Sequence, residues 1–181
     1  MSKPWNKYVN FFFVYCVIGW IYEIIWEFAV GHGFVNRGFL FGPYLPIYGV
    51  GVLILYFLLH NIMKKDIRSG NIKVTPIVIF ILIMIIVSVI EYIGSLILEK
   101  VFNERLWDYS YDLINLNGRI SLRNSACLST GAMFMLYLIW PLLEKIHKKI
   151  NDNISKIIAI TIICIMSVDL IFTLMKYIPK N

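Results

Sequence analysis

The chain predicts an all-α, polytopic membrane helix bundle with about five transmembrane helices, and two observations carry that expectation. First, 59% of its 181 residues are hydrophobic and only 15% are charged, with a mean hydropathy of +0.74. That is more apolar surface than a water-soluble core of this size can hide. Second, apolar runs long enough for a hydrocarbon layer of about 30 Å occur at Val9 to Val30, Pro43 to His60, Pro76 to Leu98, Ser125 to Leu143 and Ile157 to Tyr177. None shows the period-two alternation of barrel strands, and lipid leaves no backbone group a partner outside the chain, so each run should be a helix. Residues 1–181 are expected to form a single integral membrane domain, placing the protein in the cell membrane as a multi-pass chain.

Lys3 and Lys7 before an apolar run also describe a signal peptide. This run is too long, lacks a small-residue cleavage site and contains Glu23 and Glu27, so it is expected to remain as an uncleaved first span. Orientation follows the basic residues. With a cytoplasmic N-terminus, Lys3, Lys7, Lys64, Lys65, Arg68, Lys73, Lys145, Lys148, Lys149 and Lys156 lie inside, ten of the seventeen, and Arg37, Lys100, Arg105, Arg119, Arg123, Lys176 and Lys180 lie outside. The net charge of +6 therefore reads as topology and contact with anionic membrane lipids. No basic domain argues for nucleic acid. Cys16, Cys127 and Cys164 stand singly, and His32, His60 and His147 fall in or beside three different loops. Neither pattern has metal-ligand or redox spacing, so no metal and no cofactor is expected.

In span one, Trp20, Glu23 and Glu27 recur at helical spacing and share a face. Ionisable groups in lipid turn toward a bundle interior or an aqueous cavity, so that face should point inward. Glu27 is near enough to the outer interface for simple solvation. Glu23 lies roughly 21 Å beyond Val9 at 1.5 Å per residue and is the stronger functional candidate. The stretch from Asn36 to Gly51, NRGFLFGPYLPIYGVG, packs an arginine, four glycines and two prolines into an apolar protein. Such a density predicts a short re-entrant or tightly folded loop, with a helix start at Gly42-Pro43 and Pro46 in its first turn. Gly49 and Gly51 suit close helix packing, and the fork of Arg37 suits a carboxylate or phosphate.

The segment from Asn61 to Lys73 reads as a basic cytoplasmic turn broken at Gly70. Span three is uniformly apolar until Ser88, Glu91 and Ser95 mark one face, with Glu91 at about the depth of Glu23. Span five contributes Asp169 in the same outer half. Between spans three and four, Leu106, Trp107, Ser110, Leu113 and Ile114 fall on one side of a helical wheel, which predicts a short interfacial helix over Asn103 to Leu116 ended by Asn117 and Gly118. Arg119 and Arg123 follow, and Pro141 is expected to kink the end of span four. The two halves share a plan: a helix with a buried glutamate (Glu23, Glu91), a loop with an asparagine, glycine and arginine cluster (36–38, 117–119), and a return helix. This suggests a two-helix unit used twice, with Arg37 and Arg119 near the glutamates.

The motifs GWIYEIIWE, NRGFLFGPYLPIYGVG, the intramembrane Glu91, WDYS from Trp107 and NLNGRISL ending at Leu122 resemble the bacterial ABC-transporter permease family of the CmpB type, over most of the chain through span four. The resemblance implies a bacterial inner-membrane protein. Its motif positions here are Glu23, Arg37, Gly42, Pro43, Tyr48, Gly49, Glu91, Trp107, Asp108, Asn117, Gly118 and Arg119. The chain has no GxxxxGK phosphate loop of its own.

Three functions fit these features. The first is a permease-like protein whose outward-facing pocket takes a small polar or charged solute, formed from Glu23, Arg37, Tyr48, Glu91, Trp107, Asp108, Asn117, Arg119 and Asp169, with the arginines as anion contacts and Glu23, Glu91 and Asp169 as proton or cation sites. Five spans are few for a complete pathway, so a homo-oligomer or partner membrane or ATPase subunits belong to this reading. The second is an intramembrane enzyme acting on a lipid or lipid-linked headgroup, with a carboxylate of Glu23, Glu91 or Asp108 as base. The third is an accessory subunit in which paired charges fix helix packing.

Overall fold

A computed structural model describes residues 5–31, 33–34, 36, 38–103, 105 and 107–177, without the side chains of 101, 102, 176 and 177. Lys3, His32, Arg37, Leu106 and Lys180 lie outside the residues or side chains so described, as does the side chain of Lys176. The helices are α1 (Trp5–Ala29), α2 (Pro46–Met63), α3 (Thr75–Phe102), α4 (Leu122–Phe134), α5 (Trp140–His147) and α6 (Asp152–Tyr177). A π-helical turn at Met135–Ile139 joins α4 to α5, so five continuous stretches are long and apolar enough to cross a membrane. The all-α architecture and the five spans expected from hydropathy are thus present. The turn from α2 to α3 forms a small hairpin of β1 (Arg68–Ser69) and β2 (Ile72–Lys73), with Gly70 at φ 60°.

The chain folds as two compact units, Met1–Ile54 with Leu142–Asn181, and Leu55–Pro141. In the first, α1 and α6 run in the same direction. Asn6 Nδ2 donates to Asp152 Oδ1 (3.1 Å) and Ser155 Oγ (3.0 Å), while Val17, twelve residues beyond Trp5, packs in the same cluster as Met166. Lys7 pairs with Glu144 at 2.7 Å. α1 meets α2 through glycine. A Cβ on Gly49 would stand 2.6 Å from Cys16 Sγ and from the Phe12 ring, and one on Gly19 would enter the Tyr48 ring. Gly51 has nothing within 4 Å, so of the two glycines expected to allow close packing only Gly49 does so here.

The segment between α1 and α2 turns back along α1. The Leu45 amide donates to the carbonyl of Cys16 at 2.9 Å, and Cys16 precedes the end of α1 by thirteen residues, roughly 20 Å of helix at 1.5 Å per residue. Leu40, Tyr44 and Leu45 are buried there. The segment is re-entrant, and α2 starts at Pro46 rather than at Gly42-Pro43. Proline is favoured there because the first helical position needs no amide donor. Glu27, on the face expected to turn inward but near enough to the interface for solvation, is 1% exposed.

In the second unit α3 and α4 are antiparallel neighbours. Ser88 Oγ donates to Ser125 Oγ at 2.8 Å, and the small residues Ser125 and Ser129 are buried. Among the described residues of 103–116 there is no interfacial helix of the kind expected there. β3 (Asn115–Leu116) pairs antiparallel with β4 (Ile120–Ser121), and the Arg119 amide bonds to Leu116 O across Asn117 (φ 54°) and Gly118 (φ 63°). Two consecutive positive φ angles define a type I′ turn, which Asn-Gly favours because its twist matches that of paired strands. The same dipeptide can end a helix, and here the hairpin prevails. Ser121 caps α4 by accepting from the Asn124 amide. Pro141 has no amide for the Tyr137 carbonyl and its ring would crowd that oxygen. The preceding π turn, closed by Trp140 N to Met135 O, shifts the hydrogen-bond register ahead of it.

Candidate functional site

The candidate residues gather in a polar region of each unit. In the first, Trp20, Glu23 and Tyr48 lie where α1 faces the start of α2. Trp20 Nε1 donates to Asn36 Oδ1 at 3.0 Å, and the Tyr48 hydroxyl donates to Glu23 Oε1. The Tyr22 ring meets Tyr48 edge-on at 6.3 Å. Asp169, from α6, holds the re-entrant segment. Its Oδ1 accepts from the Phe41 amide (3.0 Å) and Thr173 Oγ1 (3.3 Å), and its Oδ2 from the Gly42 amide (2.9 Å) and the Tyr44 hydroxyl. Non-helical backbone at membrane depth must find its partners within the protein, and Asp169 supplies them. Beside this contact lies an open, apolar hollow of about 710 Å³ between Phe41–Tyr44 and the α6 residues Cys164, Ile165, Val168 and Phe172.

The second cluster follows one stripe of α3: Ser88, Glu91, Tyr92, Ser95 and Glu99. Glu91 Oε1 accepts from Asn124 Nδ2 at 2.9 Å and from the Tyr109 hydroxyl at 3.5 Å. Its Oε2 is buried with no hydrogen-bond partner among the described residues. Arg119 does not reach Glu91: Nη1 donates to Ser95 Oγ at 2.8 Å and Nη2 pairs with Glu99. Asn117 Nδ2 donates to the Tyr92 hydroxyl at 3.1 Å.

Trp107 and Asp108 brace the hairpin. Trp107 Nε1 donates to the Arg119 carbonyl at 2.9 Å, and Asp108 Oδ1 accepts from the Ser110 hydroxyl (2.6 Å) and amide (3.0 Å). Those two donors hold the Asp108 carboxyl below its ordinary range. Gly118 is packed against the same turn, where a Cβ would lie 2.4 Å from Asp108 Oδ1 and Ser110 Oγ.

Of the nine residues proposed for a binding site, the first unit brings Glu23 and Tyr48 into contact and sets Asp169 against the re-entrant segment. The second gathers Glu91, Trp107, Asp108, Asn117 and Arg119 around α3 and its loop. Arg37 lies outside the described residues. Sequence reasoning missed Tyr44, Tyr109 and Asn124. Asn124 carried a readable signal, because it is the third helical residue after the Ser121 cap. It matches Tyr48, the third residue of α2: in both units the third residue of the return helix donates to the glutamate of the preceding one.

Five membrane-length helices, a re-entrant segment pinned by an intramembrane carboxylate and polar side chains inside the spans define a multi-pass integral membrane protein. A family model described as "Putative ABC-transporter type IV" matches residues 10–174. The chain belongs to that family, and it is a transport-related membrane protein. It matches no curated protein and no solved structure.

Proposed function

We propose that the chain is a permease-type subunit, one integral membrane domain whose polar site around Glu91 receives a small polar or charged solute. The observation that supports this most is the unfilled acceptor at Glu91 Oε2. A carboxyl inside a membrane span is costly unless something answers it, and among the described residues no cation pairs with this one. A donor group on a solute, or a cation, would occupy that position. Asn124 and Tyr109 orient the carboxyl, while Arg119, fixed by Ser95 and Glu99, offers its positive charge two turns along α3. Five spans remain few for a pathway, so the working assembly includes a second copy or partner membrane and ATPase subunits. Mass spectrometry of small molecules co-purified with wild type and with Glu91→Gln tests the reading. A polar solute retained by wild type and lost from the variant is expected; identical contents from both would overturn it.

The apolar hollow beside Phe41–Tyr44 favours a second reading, in which the protein binds a lipid or lipid-linked molecule by its hydrocarbon chain. Asp169 is an unsuitable base in that reading, because both of its oxygens already accept two hydrogen bonds. Retention of a lipid species, insensitive to Glu91→Gln, would favour it.

A further inference from the structure

We infer that the hairpin loop between α3 and α4 is a membrane-inserting element, whose apolar tip occupies the headgroup and upper acyl region of the bilayer beside the spans it connects. Leu113 is fully exposed, Tyr111 is 77% exposed and Ile114 64%, with Leu116 also exposed. These are four apolar side chains within six residues, on a segment that is tied down. Tyr109 N bonds to Gly118 O at 2.8 Å, Asp112 N to Tyr109 O at 3.0 Å, and Asn115 Nδ2 to Asp112 O at 2.7 Å. A held loop that presents leucine and isoleucine to its surroundings needs an apolar environment to cover them.

Position identifies that environment. The amide of Leu122, the first residue of the span that begins with α4, bonds to the carbonyl of Ile114 at 3.0 Å. The exposed tip is thus anchored at the end of a membrane-spanning helix, and the two spans it connects also expose apolar side chains, Leu122 on α4 and Ile93 and Ile97 on α3. The flanking charges match a phosphate layer. Arg123, 78% exposed, is 3.7 Å from Asp112, and Lys100 is exposed on the last turn of α3. Exposed apolar side chains and a tyrosine flanked by basic residues, here Arg123 and Lys100, are the combination that interfacial anchors use. The loop thereby acquires the interfacial role that an amphipathic helix would have filled, using a turn in place of a helix.

Site-directed spin labelling tests this on the full chain. Leu113→Cys is placed in a Cys127→Ala, Cys164→Ala background, Cys16 being buried, and reconstituted in vesicles of phosphatidylethanolamine and phosphatidylglycerol. Collision of the nitroxide with oxygen, which partitions into lipid, is compared with collision with a water-soluble nickel chelate. Ser69→Cys in the exposed β1 strand serves as the aqueous reference. The expected result is oxygen access exceeding chelate access at position 113 and the reverse at position 69. Chelate access equal to that of the reference overturns the inference by placing the tip in water. Low access to both reagents also overturns it, by showing a second copy or a partner chain on the tip. Ile114→Cys provides the same readout should the first variant fail to fold.

Discussion

Replacing Asp169 tests how a non-helical segment survives at membrane depth. The carboxylate accepts from two backbone amides, one phenol and one hydroxyl. In Asp169→Ala the amides of Phe41 and Gly42 lose the carboxylate oxygens that accept from them. At about 1–3 kcal/mol for each stranded donor, the loss is about 2–6 kcal/mol. Asp169→Asn keeps one acceptor oxygen and turns an amide group toward the other pair of donors, so it should lose about half as much. Unfolding by sodium dodecyl sulfate in mixed micelles should rank wild type above Asn above Ala. Hydrogen exchange at residues 41 and 42 should speed up in the same order. An alanine variant that unfolds at the wild-type detergent fraction, with unchanged exchange at those two amides, would refute the role assigned to Asp169.

Three other outcomes follow from contacts of the same kind. Gly49→Ala sets a methyl against Cys16 Sγ, the Phe12 ring and, at 2.7 Å, the Phe12 carbonyl, and should destabilise the α1–α2 contact by about 1–3 kcal/mol; Gly51→Ala, with open space around it, should unfold like wild type in the same titration. Gly118→Ala combines a positive φ with a 2.4 Å approach to Asp108 and Ser110, costing about 1–3 kcal/mol, and should raise proteolytic nicking within 103–121. Asp108, held below its ordinary range by Ser110, contributes order to the loop above its unfolded value of about 4 and loses that contribution as pH falls through the lower folded value. Exchange of the Ser110 amide, corrected for its intrinsic pH dependence, should therefore stay constant from about pH 7 to 5 and rise only below about 4.

Local pattern revealed what local physics decides. The five spans follow from run length, the inward turn of the Glu23 face from the helical period, and the use of Pro46 in a first turn from its missing donor. The partners of the acids were not readable in this way. Asp169 meets Phe41, Gly42 and Tyr44 across 125 to 128 residues of chain, and nothing in either segment encodes the other. Arg119 resembled a counter-ion for Glu91, yet the hairpin carries its guanidinium to Ser95 and Glu99. That displacement begins with Asn117-Gly118, a dipeptide that satisfies both a helix end and a type I′ turn. Only the pairing of the flanking strands decides between them.

Whether a solute answers the carboxyl of Glu91 is decided by solute profiling inside and outside cells. Cells lacking the chain are compared with cells complemented by wild type or by Glu91→Gln expressed to the same level in the membrane. One small polar or charged solute should change its distribution across the membrane on deletion, be restored by wild type and not be restored by the glutamine variant. Restoration by Glu91→Gln as complete as by wild type would contradict that role for Glu91.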